Sequence, residues 1–166
     1  MATFRFKCAA CDEWHEGMPS FGASAPDYFF SIPENERERR CELTSDTCIV
    51  DDQFFFIRGC LEVPVLGAHE KFSWGMWVSI SKDNFLLLMK HYDDKERAKI
   101  GPIFGWLSVN MEVYPECETL KSLVHIREPE LRPLIELQPS DHPLAVEQQD
   151  GISLDRLAEF YAVYGH

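Results

Sequence analysis

Apolar and aromatic residues concentrate in two neighbouring segments near the middle of the chain. Residues 54–65 and 71–80 are rich in phenylalanine, tryptophan, valine and isoleucine, the side chains that favour β-strands, and a short polar stretch around Gly67 separates them. A turn between two such segments is typical of an antiparallel hairpin. We therefore expect the two strands to pair and to form the centre of a sheet.

After this hairpin the apolar positions change to a helical spacing. Phe85, Leu88 and Tyr92 fall on one face of a helix. Ser81, just before them, is a residue type that commonly caps a helix N-terminus by accepting a hydrogen bond from a backbone amide. The sequence therefore predicts a helix over residues 82–92.

The remaining elements place the predicted fold in the α+β class. Strands are predicted at residues 103–109, 120–126 and 134–137, and a final helix at residues 153–163. Strands and helices that do not alternate regularly favour a mainly antiparallel sheet with flanking helices. No repeat, low-complexity linker or shift in composition marks a boundary, so we expect one domain over residues 1–166.

The charge of the chain limits the partners that it can bind. The 28 acidic and 16 basic side chains give a formal net charge of −12, which repels phosphate backbones and argues against direct nucleic-acid binding. The same charge attracts a basic protein. Apolar stretches are too short to cross a membrane, and the N-terminus has no apolar signal segment. We expect a cytoplasmic protein whose cysteines are reduced or metal-bound.

The strongest chemical signal lies near the N-terminus. A strand predicted over residues 3–7 leads into Cys8-x-x-Cys11, and His15 follows soon after. Two cysteines at this spacing can direct both sulfurs at one tetrahedral ion, and the histidine can supply a third ligand. We expect a structural zinc knuckle that packs on the sheet as part of residues 1–50.

Cys48 is the residue that we favour as the fourth zinc ligand, because the turn at residues 45–47 can direct its side chain inward. Cys41 follows a charged segment, and Cys60 lies in an apolar strand, where cysteine is more often a small core residue. His15 itself has an alternative interpretation as a packed loop residue. A set of three cysteines and one histidine leaves no position for water, which indicates a structural site.

Other chemistries receive less support from the sequence. A redox disulfide also uses the Cys-x-x-Cys spacing, but it requires a long helix after the first cysteine, and Gly17 and Pro19 interrupt any helix there. The Ser-x-x-Lys pattern that ends at Lys82 lacks its companion motifs, and Ser140-Asp141-His142 is interpreted as a turn. We therefore predict no catalytic residues, although the sequence leaves an enzyme open as an alternative.

Two functions remain open. The first is a non-enzymatic binding protein, such as an immunity or inhibitor protein, that neutralises a basic partner such as a bacterial toxin nuclease. The acids offered for that contact, chosen by local charge density, are Glu34, Glu36, Asp93 and Asp94. A plainer interpretation of the charge is that it serves solubility alone.

The second function is an enzyme or small-molecule binder with an aromatic pocket. Its walls are predicted to be Trp74, Trp77 and Trp106, with Arg58 or Arg132 as an anchor for an anion. The alternative interpretation of the tryptophans is that large rings next to glycines fill a tightly packed core.

Several motifs together indicate a resemblance to a known family. They are Phe6-Lys7-Cys8-x-x-Cys11 with His15, Ser45-Asp46-x-Cys48, Phe56-Ile57-Arg58-Gly59-Cys60, Trp74-Gly75-x-Trp77-Val78-Ser79, Phe104-Gly105-Trp106-Leu107, and Arg132-Pro133 with Asp141-His142-Pro143-Leu144-Ala145. In this order they resemble the bacterial domain of unknown function twenty-one ninety-nine. The resemblance implies a bacterial, single-domain, cytosolic protein and the grouping of Cys8, Cys11, His15 and Cys48. It implies no activity. Asp12 stands where the family typically has a glycine.

Overall fold

The structure is a computed structural model, and it describes residues 5–8 and 11–165. Its strands are β1 (Arg5–Lys7), β2 (Trp14–Glu16), β3 (Ser20–Gly22), β4 (Cys41–Leu43), β5 (Thr47–Val50), β6 (Phe54–Val63), β7 (Phe72–Ile80), β8 (Ile103–Leu107), β9 (Lys121–His125) and β10 (Leu134–Leu137). Its α-helices are α1 (Asp27–Ser31), α2 (Arg37–Arg40), α3 (Lys82–Lys90), α4 (Pro143–Asp150) and α5 (Leu154–Tyr164), and short 3₁₀ turns occur at Glu34–Glu36 and Arg97–Lys99.

Strands β6 to β10 form a closed five-stranded barrel. β6 and β7 pair antiparallel along nearly their whole length, from Phe55 opposite Ile80 to Val63 opposite Phe72. β7, β8, β9 and β10 then pair antiparallel in chain order, and β10 returns to β6 through a parallel pairing. An odd number of strands joined in this order closes only if one pairing is parallel. The predicted α+β class is confirmed, but the sequence did not predict closure.

The closing contact depends on Gly59 in β6. A Cβ atom at this position would lie 2.9 Å from the Pro133 carbonyl oxygen and 2.9 Å from the Ile135 side chain. Because such a contact is too short for a real side chain, glycine allows β10 to approach β6 closely. The amide of Cys60 then donates to the Pro133 carbonyl at 2.8 Å.

Further strands extend the sheet beyond the barrel. β5 pairs antiparallel with the first half of β6, β4 pairs antiparallel with β5, and β3 pairs parallel with the first half of β7. β1 and β2 form a separate antiparallel hairpin. The predicted strand over residues 3–7 is described from Arg5 onward, and its first two residues lie outside the described part of the chain.

Alternation along the central hairpin directs the apolar side chains into the barrel. Leu61 is opposite Trp74 and Val63 is opposite Phe72, and all four are completely buried. These positions lie on one face because successive residues of a strand point to opposite sides of the sheet. On the other face of β6, Arg58 is only half-buried.

The two predicted main helices are present at nearly their expected bounds. α3 begins after Ser81, whose hydroxyl accepts a hydrogen bond from the Asn84 amide at 3.2 Å, and it ends two residues earlier than the pattern predicted. α5 begins after Ser153, and its Phe160 ring lies 4.7 Å from Trp74, centroid to centroid. Among the described residues, no helix has the length and apolar content that a membrane span requires.

Candidate metal centre and binding cavities

The β1–β2 hairpin brings Cys8, Cys11 and His15 together. Their ligand atoms all lie within 4.8 Å of one another, and the Cys11 Sγ is 3.2 Å from the His15 Nε2. The turn between the strands is closed by two backbone hydrogen bonds, from the Asp12 amide to the Cys8 carbonyl and from the Cys8 amide to the Glu13 carbonyl. The three residues that the sequence groups as ligands are therefore neighbours in the structure.

Asp12 has a backbone conformation that favours glycine. Its φ of 58° lies in the left-handed region, which glycine adopts without cost and aspartate tolerates better than most residues. The Asp12 carboxylate also lies 3.0 Å from the Lys7 ammonium, across the turn. The turn that holds the two sulfurs thus forms with aspartate as well.

Aromatic rings attach this hairpin to the last helix. The His15 ring centroid is 4.2 Å from that of Tyr161 in α5, and the Phe6 ring is 5.2 Å from the same tyrosine. Phe21 of β3 contacts Tyr161 from another direction, at 5.8 Å. Cys8 is only 1% exposed in this arrangement. Any ion held by the three ligands would therefore link the N-terminal hairpin to α5.

The donor atoms suit zinc. Two thiolates and one imidazole are ligands that a tetrahedral Zn²⁺ prefers, whereas calcium and magnesium require oxygen. A backbone hydrogen bond from Glu13 lowers the pKa of the Cys11 thiol, but partial burial together with the neighbouring Cys8 raises it, and the net shift is upward. A bound divalent cation would favour the thiolates by replacing their protons.

Cys48 is not part of this group. It lies in β5, opposite Phe56, and is completely buried because strand alternation directs it into the core rather than toward the N-terminal hairpin. Burial, and then the nearby Cys41, raise the pKa of Cys48 to about 12. The predicted fourth ligand is thus placed as a core thiol, and in the described part of the chain three residues form the cluster.

The predicted aromatic pocket is wrong, because two of its walls belong to the core. Trp74 and Trp77 are 0% exposed. The Trp74 indole donates to the Tyr114 hydroxyl at 3.3 Å, and the Trp77 indole donates to the Ala23 carbonyl at 3.0 Å. Trp106 is 41% exposed and lies elsewhere on the barrel. The core interpretation of the two buried rings is correct.

Arg58 and Arg132, the predicted anion anchors, line one cavity of about 770 Å³, which we call the arginine cavity. Arg58 extends from β6, and Arg132 lies in the loop before β10. Asp46, which lines the same cavity, accepts a hydrogen bond from the Arg132 Nε at 2.8 Å. Partial burial raises the pKa of Asp46, but hydrogen bonds from Arg132 and Ser45 outweigh it and lower the pKa overall.

The structure does not bring the four predicted partner-binding acids into one cavity. Glu36 contacts Arg39 at 3.0 Å and Arg40 at 3.6 Å. Asp94 follows α3, and hydrogen bonds from the Glu96 amide and the His91 ring lower its pKa. These two carboxylates therefore have cationic or amide partners within the chain. Glu34 is exposed, and Asp93 lines the arginine cavity.

A cavity that the sequence did not predict combines acids with aromatic rings. We call it the acid–aromatic cavity; it has a volume of about 430 Å³, and its lining includes Asp27, Tyr28, Phe54, Phe56, Trp106 and Glu118. Asp27 begins α1 and accepts a hydrogen bond from the Asn110 amide at 2.8 Å. Burial, and then a hydrogen bond to Asp27 and its negative charge, raise the pKa of Glu118.

No sequence signal connects the two carboxyl groups of this cavity, since Asp27 and Glu118 lie far apart in the chain, one at the start of α1 and the other in the loop between β8 and β9. The sequence also did not predict that the aromatic rings of this cavity are exposed to solvent. Tyr28, Phe54 and Trp106 are 37%, 42% and 41% exposed, respectively, although large aromatic side chains usually contribute to the core. The Tyr28 and Phe54 rings pack at 4.8 Å, centroid to centroid.

A larger cavity, of about 850 Å³, lies on the outside of β8, β9 and β10. Two of its polar groups pair with each other, since the His125 Nε2 lies 3.2 Å from the Glu136 carboxylate. Charged side chains of one sign do not cluster in its lining, in contrast to the arginine cavity and the acid–aromatic cavity.

A family model described as "Uncharacterized protein conserved in bacteria (DUF2199)" matches residues 7–152. The chain belongs to this family. The match extends from the strand before Cys8 through the barrel to Ile152, so the hairpin with the metal ligands and both charged cavities lie within the part that defines DUF2199. No curated protein and no solved structure matches the chain.

Proposed function

We propose that this DUF2199 protein is a zinc-stabilised, non-enzymatic binding protein whose acid–aromatic cavity receives a basic side chain of a protein partner. The observation that carries the proposal is the pairing of the Asp27 and Glu118 carboxyl groups within a cavity walled by aromatic rings. Within the described lining of this cavity there is no basic residue.

The carboxyl pair favours a cation for an electrostatic reason. Two carboxylates in contact repel each other, and this repulsion disfavours the state in which both are charged. A guanidinium or ammonium group placed between them would remove this repulsion and form charge-assisted hydrogen bonds. Burial is the first cause of the raised pKa of Glu118, and the hydrogen bond to Asp27 and the negative charge of Asp27 add to it.

The aromatic walls add a second attraction for cations. The face of an aromatic ring carries negative electrostatic potential, and arginine is the cation that most often packs on it. Trp106 already shows this tendency, because the Lys121 ammonium lies 5.6 Å from its ring centroid. A cavity of about 430 Å³ has room for one arginine side chain but not for a folded segment of a partner.

The net charge of −12 supports a basic protein as the source of that side chain. It would increase the rate of association by long-range attraction. A bacterial toxin nuclease, whose cleft is basic because it binds nucleic acid, is a partner of this kind, and the protein would act in the cytoplasm as its inhibitor. This role needs no catalytic group.

Zinc is proposed as a structural component. Cys8, Cys11 and His15 would hold the ion, and the ring contacts of His15 with Tyr161 would transmit its stabilising effect to α5. The observation that favours zinc is the donor set of two sulfurs and one imidazole nitrogen at a β-hairpin turn, which is the arrangement of a zinc knuckle.

The test is an affinity purification from the source bacterium, with the tagged protein as bait. We expect one dominant basic protein in roughly equal amount, and we expect Asp27→Asn/Glu118→Gln bait to lose it. Glu38→Gln/Glu70→Gln bait is the matched control, because it removes two exposed charges outside the cavity. Equal recovery by the parent and by the cavity variant would refute the proposal.

A further inference from the structure

The cavity that contains Arg58 and Arg132 concentrates positive charge in an acidic protein. Five basic side chains and three acidic ones line it, in a chain whose acids outnumber its bases. The basic residues are Arg58, Lys95, Arg97, Arg127 and Arg132, and the acids are Asp46, Asp93 and Glu130. This excess of cations is the reverse of the protein's overall charge, which indicates a local role.

Arg58 is the least satisfied of these side chains. Among the described side chains, its Nε is the one buried nitrogen or oxygen atom without a hydrogen-bond partner. The guanidinium lies 5.9 Å from the Trp77 ring centroid, and its Nη1 donates only a long bond, 3.3 Å, to the Ser45 carbonyl. A buried donor without an acceptor costs free energy, so the structure has an unmet requirement for an acceptor here.

The guanidinium groups of Arg132 and Arg127 also have N–H donors that the described hydrogen bonds do not use. Arg132 donates through Nε to Asp46, and Arg127 donates through Nε to the Arg132 carbonyl at 2.7 Å. In the hydrogen bonds described for these two residues, their terminal nitrogens take no part. Within the described residues, Asp46 is thus the single carboxylate that is hydrogen-bonded to Arg58, Arg127 or Arg132, and one carboxylate balances the charge of only one arginine.

Arg97 holds the loop that carries Arg127 and Arg132. Its guanidinium donates to the carbonyl oxygens of Arg127, Glu128 and Leu131 at 2.8, 3.1 and 2.9 Å. The loop also contains Glu130 in the left-handed region, with a φ of 77°. Because Arg97 uses its donors on the backbone, it positions the other arginines and leaves them available to a ligand.

Part of the lining of this cavity is apolar. These apolar lining residues are Leu88 and Met89 of α3, Tyr92 just after this helix, and Ile126 after β9. The cavity volume of about 770 Å³ is far larger than an inorganic ion and falls within the range of small-molecule sites. We propose that this cavity binds a small organic oxyanion, a carboxylate or a phosphate ester, whose charged group contacts Arg58 and Arg132 and whose apolar body contacts α3.

The chemistry of arginine supports an oxyanion. A guanidinium presents paired N–H donors that match the two oxygens of a carboxylate or phosphate, and two adjacent guanidiniums repel each other until an anion lies between them. Burial, and then the charge of Arg132, lower the pKa of Arg58, in agreement with such repulsion. A nucleic acid is a poor candidate, since the rest of the surface is acidic.

The experiment is isothermal titration of the full chain with four probes: benzoate, phenyl phosphate, inorganic phosphate and neutral benzamide. We expect benzoate or phenyl phosphate to bind saturably, and whichever binds more tightly identifies the charged group. Inorganic phosphate should bind more weakly than phenyl phosphate because it lacks the apolar body, and benzamide should not bind. A protein that binds none of the anions would overturn the proposal.

Variants locate the site. Arg132→Gln should lower the affinity for the anion by about tenfold or more, since it removes a charge-assisted contact. Arg58→Gln should have the same effect. Arg39→Gln is the matched control, because Arg39 is an exposed arginine paired with Glu36 outside the cavity. If Arg58→Gln does not fold, the exposed Arg132 decides the outcome. Unchanged affinity in Arg132→Gln would place the anion elsewhere.

A spectroscopic readout separates direct contact from an indirect effect. In the parent protein, the Nε–H resonance of Arg58 should shift during the titration, because this buried donor gains an acceptor. The Nε–H resonance of Arg39 should stay constant. A titration that moves neither resonance would contradict the placement of the ligand against Arg58.

Discussion

The rings of His15 and Tyr161 lie 4.2 Å apart, centroid to centroid, and join the N-terminal hairpin to the last helix. His15 is at the same time one of three residues grouped as metal ligands. A bound ion would therefore restrain both ends of the described chain. The stability of α5 is therefore expected to depend on the bound metal.

Zinc content is the first prediction. Protein purified without chelator should contain about one zinc per chain, and Cys8→Ser should lose the metal and several kcal/mol of unfolding free energy, because metal binding and folding are coupled. Elemental analysis and urea unfolding measure the two quantities. Cys48→Ser is the control that distinguishes the loss of a metal ligand from the loss of a core side chain. It should keep the zinc but lower the free energy of unfolding, since Cys48 is completely buried. Metal-free parent protein would contradict this prediction.

Removal of the metal should loosen α5 selectively. After chelation, amide hydrogen exchange near Tyr161 should accelerate, because the hairpin that packs on this ring loses its restraint. Exchange in β6 and β7 should change little, since their pairing is within the barrel. Uniform acceleration across the chain would mean that the metal stabilises the whole fold, and no acceleration in α5 would contradict the proposed coupling.

Tyr114 connects the core to α4. Its hydroxyl donates to the Glu147 carboxylate at 2.5 Å and accepts from the Trp74 indole at 3.3 Å, and burial is the main reason that its pKa is raised. Tyr114→Phe leaves the indole without an acceptor, so we expect a loss of about 1–3 kcal/mol in urea unfolding. Tyr28→Phe, at an exposed ring, is the control. A Tyr114→Phe protein as stable as the parent would show that these bonds contribute nothing.

Arg40 and Asp51 should make stability depend on pH. The Arg40 guanidinium donates two hydrogen bonds of 2.8 Å to the Asp51 carboxylate and lowers its pKa. A depressed pKa in the folded state stabilises the protein above the unfolded value, about 3.9, and this contribution disappears as pH falls through the folded value. The parent should therefore be more stable than Asp51→Asn at neutral pH and should lose that advantage in acid.

Asparagine is the suitable replacement at this position, because Asp51 has a φ of 54° and asparagine tolerates the left-handed region as well as aspartate does. Thermal unfolding of both proteins across the acid range measures the difference. An advantage of the parent that persists below the folded pKa would assign the effect to packing and not to the carboxylate charge.

Local patterns were sufficient to predict the central hairpin and the main helices. β6 and β7 carry a strong aromatic and β-branched signal, and Ser81 and Ser153 act as the helix caps that their residue type predicts. The grouping of Cys8, Cys11 and His15 is also local, since one β-hairpin contains all three. Such features depend on residues that are close in sequence, which is why the sequence alone indicates them.

Features that depend on distant residues were not predictable from local patterns. The closure of the barrel needs β10 to meet β6 at Gly59, and the acid–aromatic cavity needs Asp27 to meet Glu118. The sequence predicted no helix at α4; the turn predicted at Ser140-Asp141-His142 directly precedes it. In the structure Pro143 occupies the first turn of the helix, where its missing N–H is tolerated, and His142 caps it.

Association with the proposed basic partner should depend on salt. Charge steering is screened beyond about 8–10 Å at ordinary ionic strength, so the association rate should fall markedly as salt rises while the dissociation rate changes less. Stopped-flow mixing with the partner recovered by affinity purification measures both rates. Salt-independent association would leave solubility as the role of the −12 charge.

The central claim, that the acid–aromatic cavity binds a basic side chain, is tested most directly by a carboxyl NMR titration of Glu118 with N-acetyl-arginine amide. The account predicts saturable shifts at Glu118 and at the Trp106 indole, and a pKa of Glu118 that falls when the probe is bound, because a cation offsets the repulsion from Asp27 and the nearby Glu116. N-acetyl-glutamine amide, which has no charge, should produce neither effect. An unchanged Glu118 pKa at a saturating arginine concentration, or equal shifts with the glutamine probe, would contradict the account.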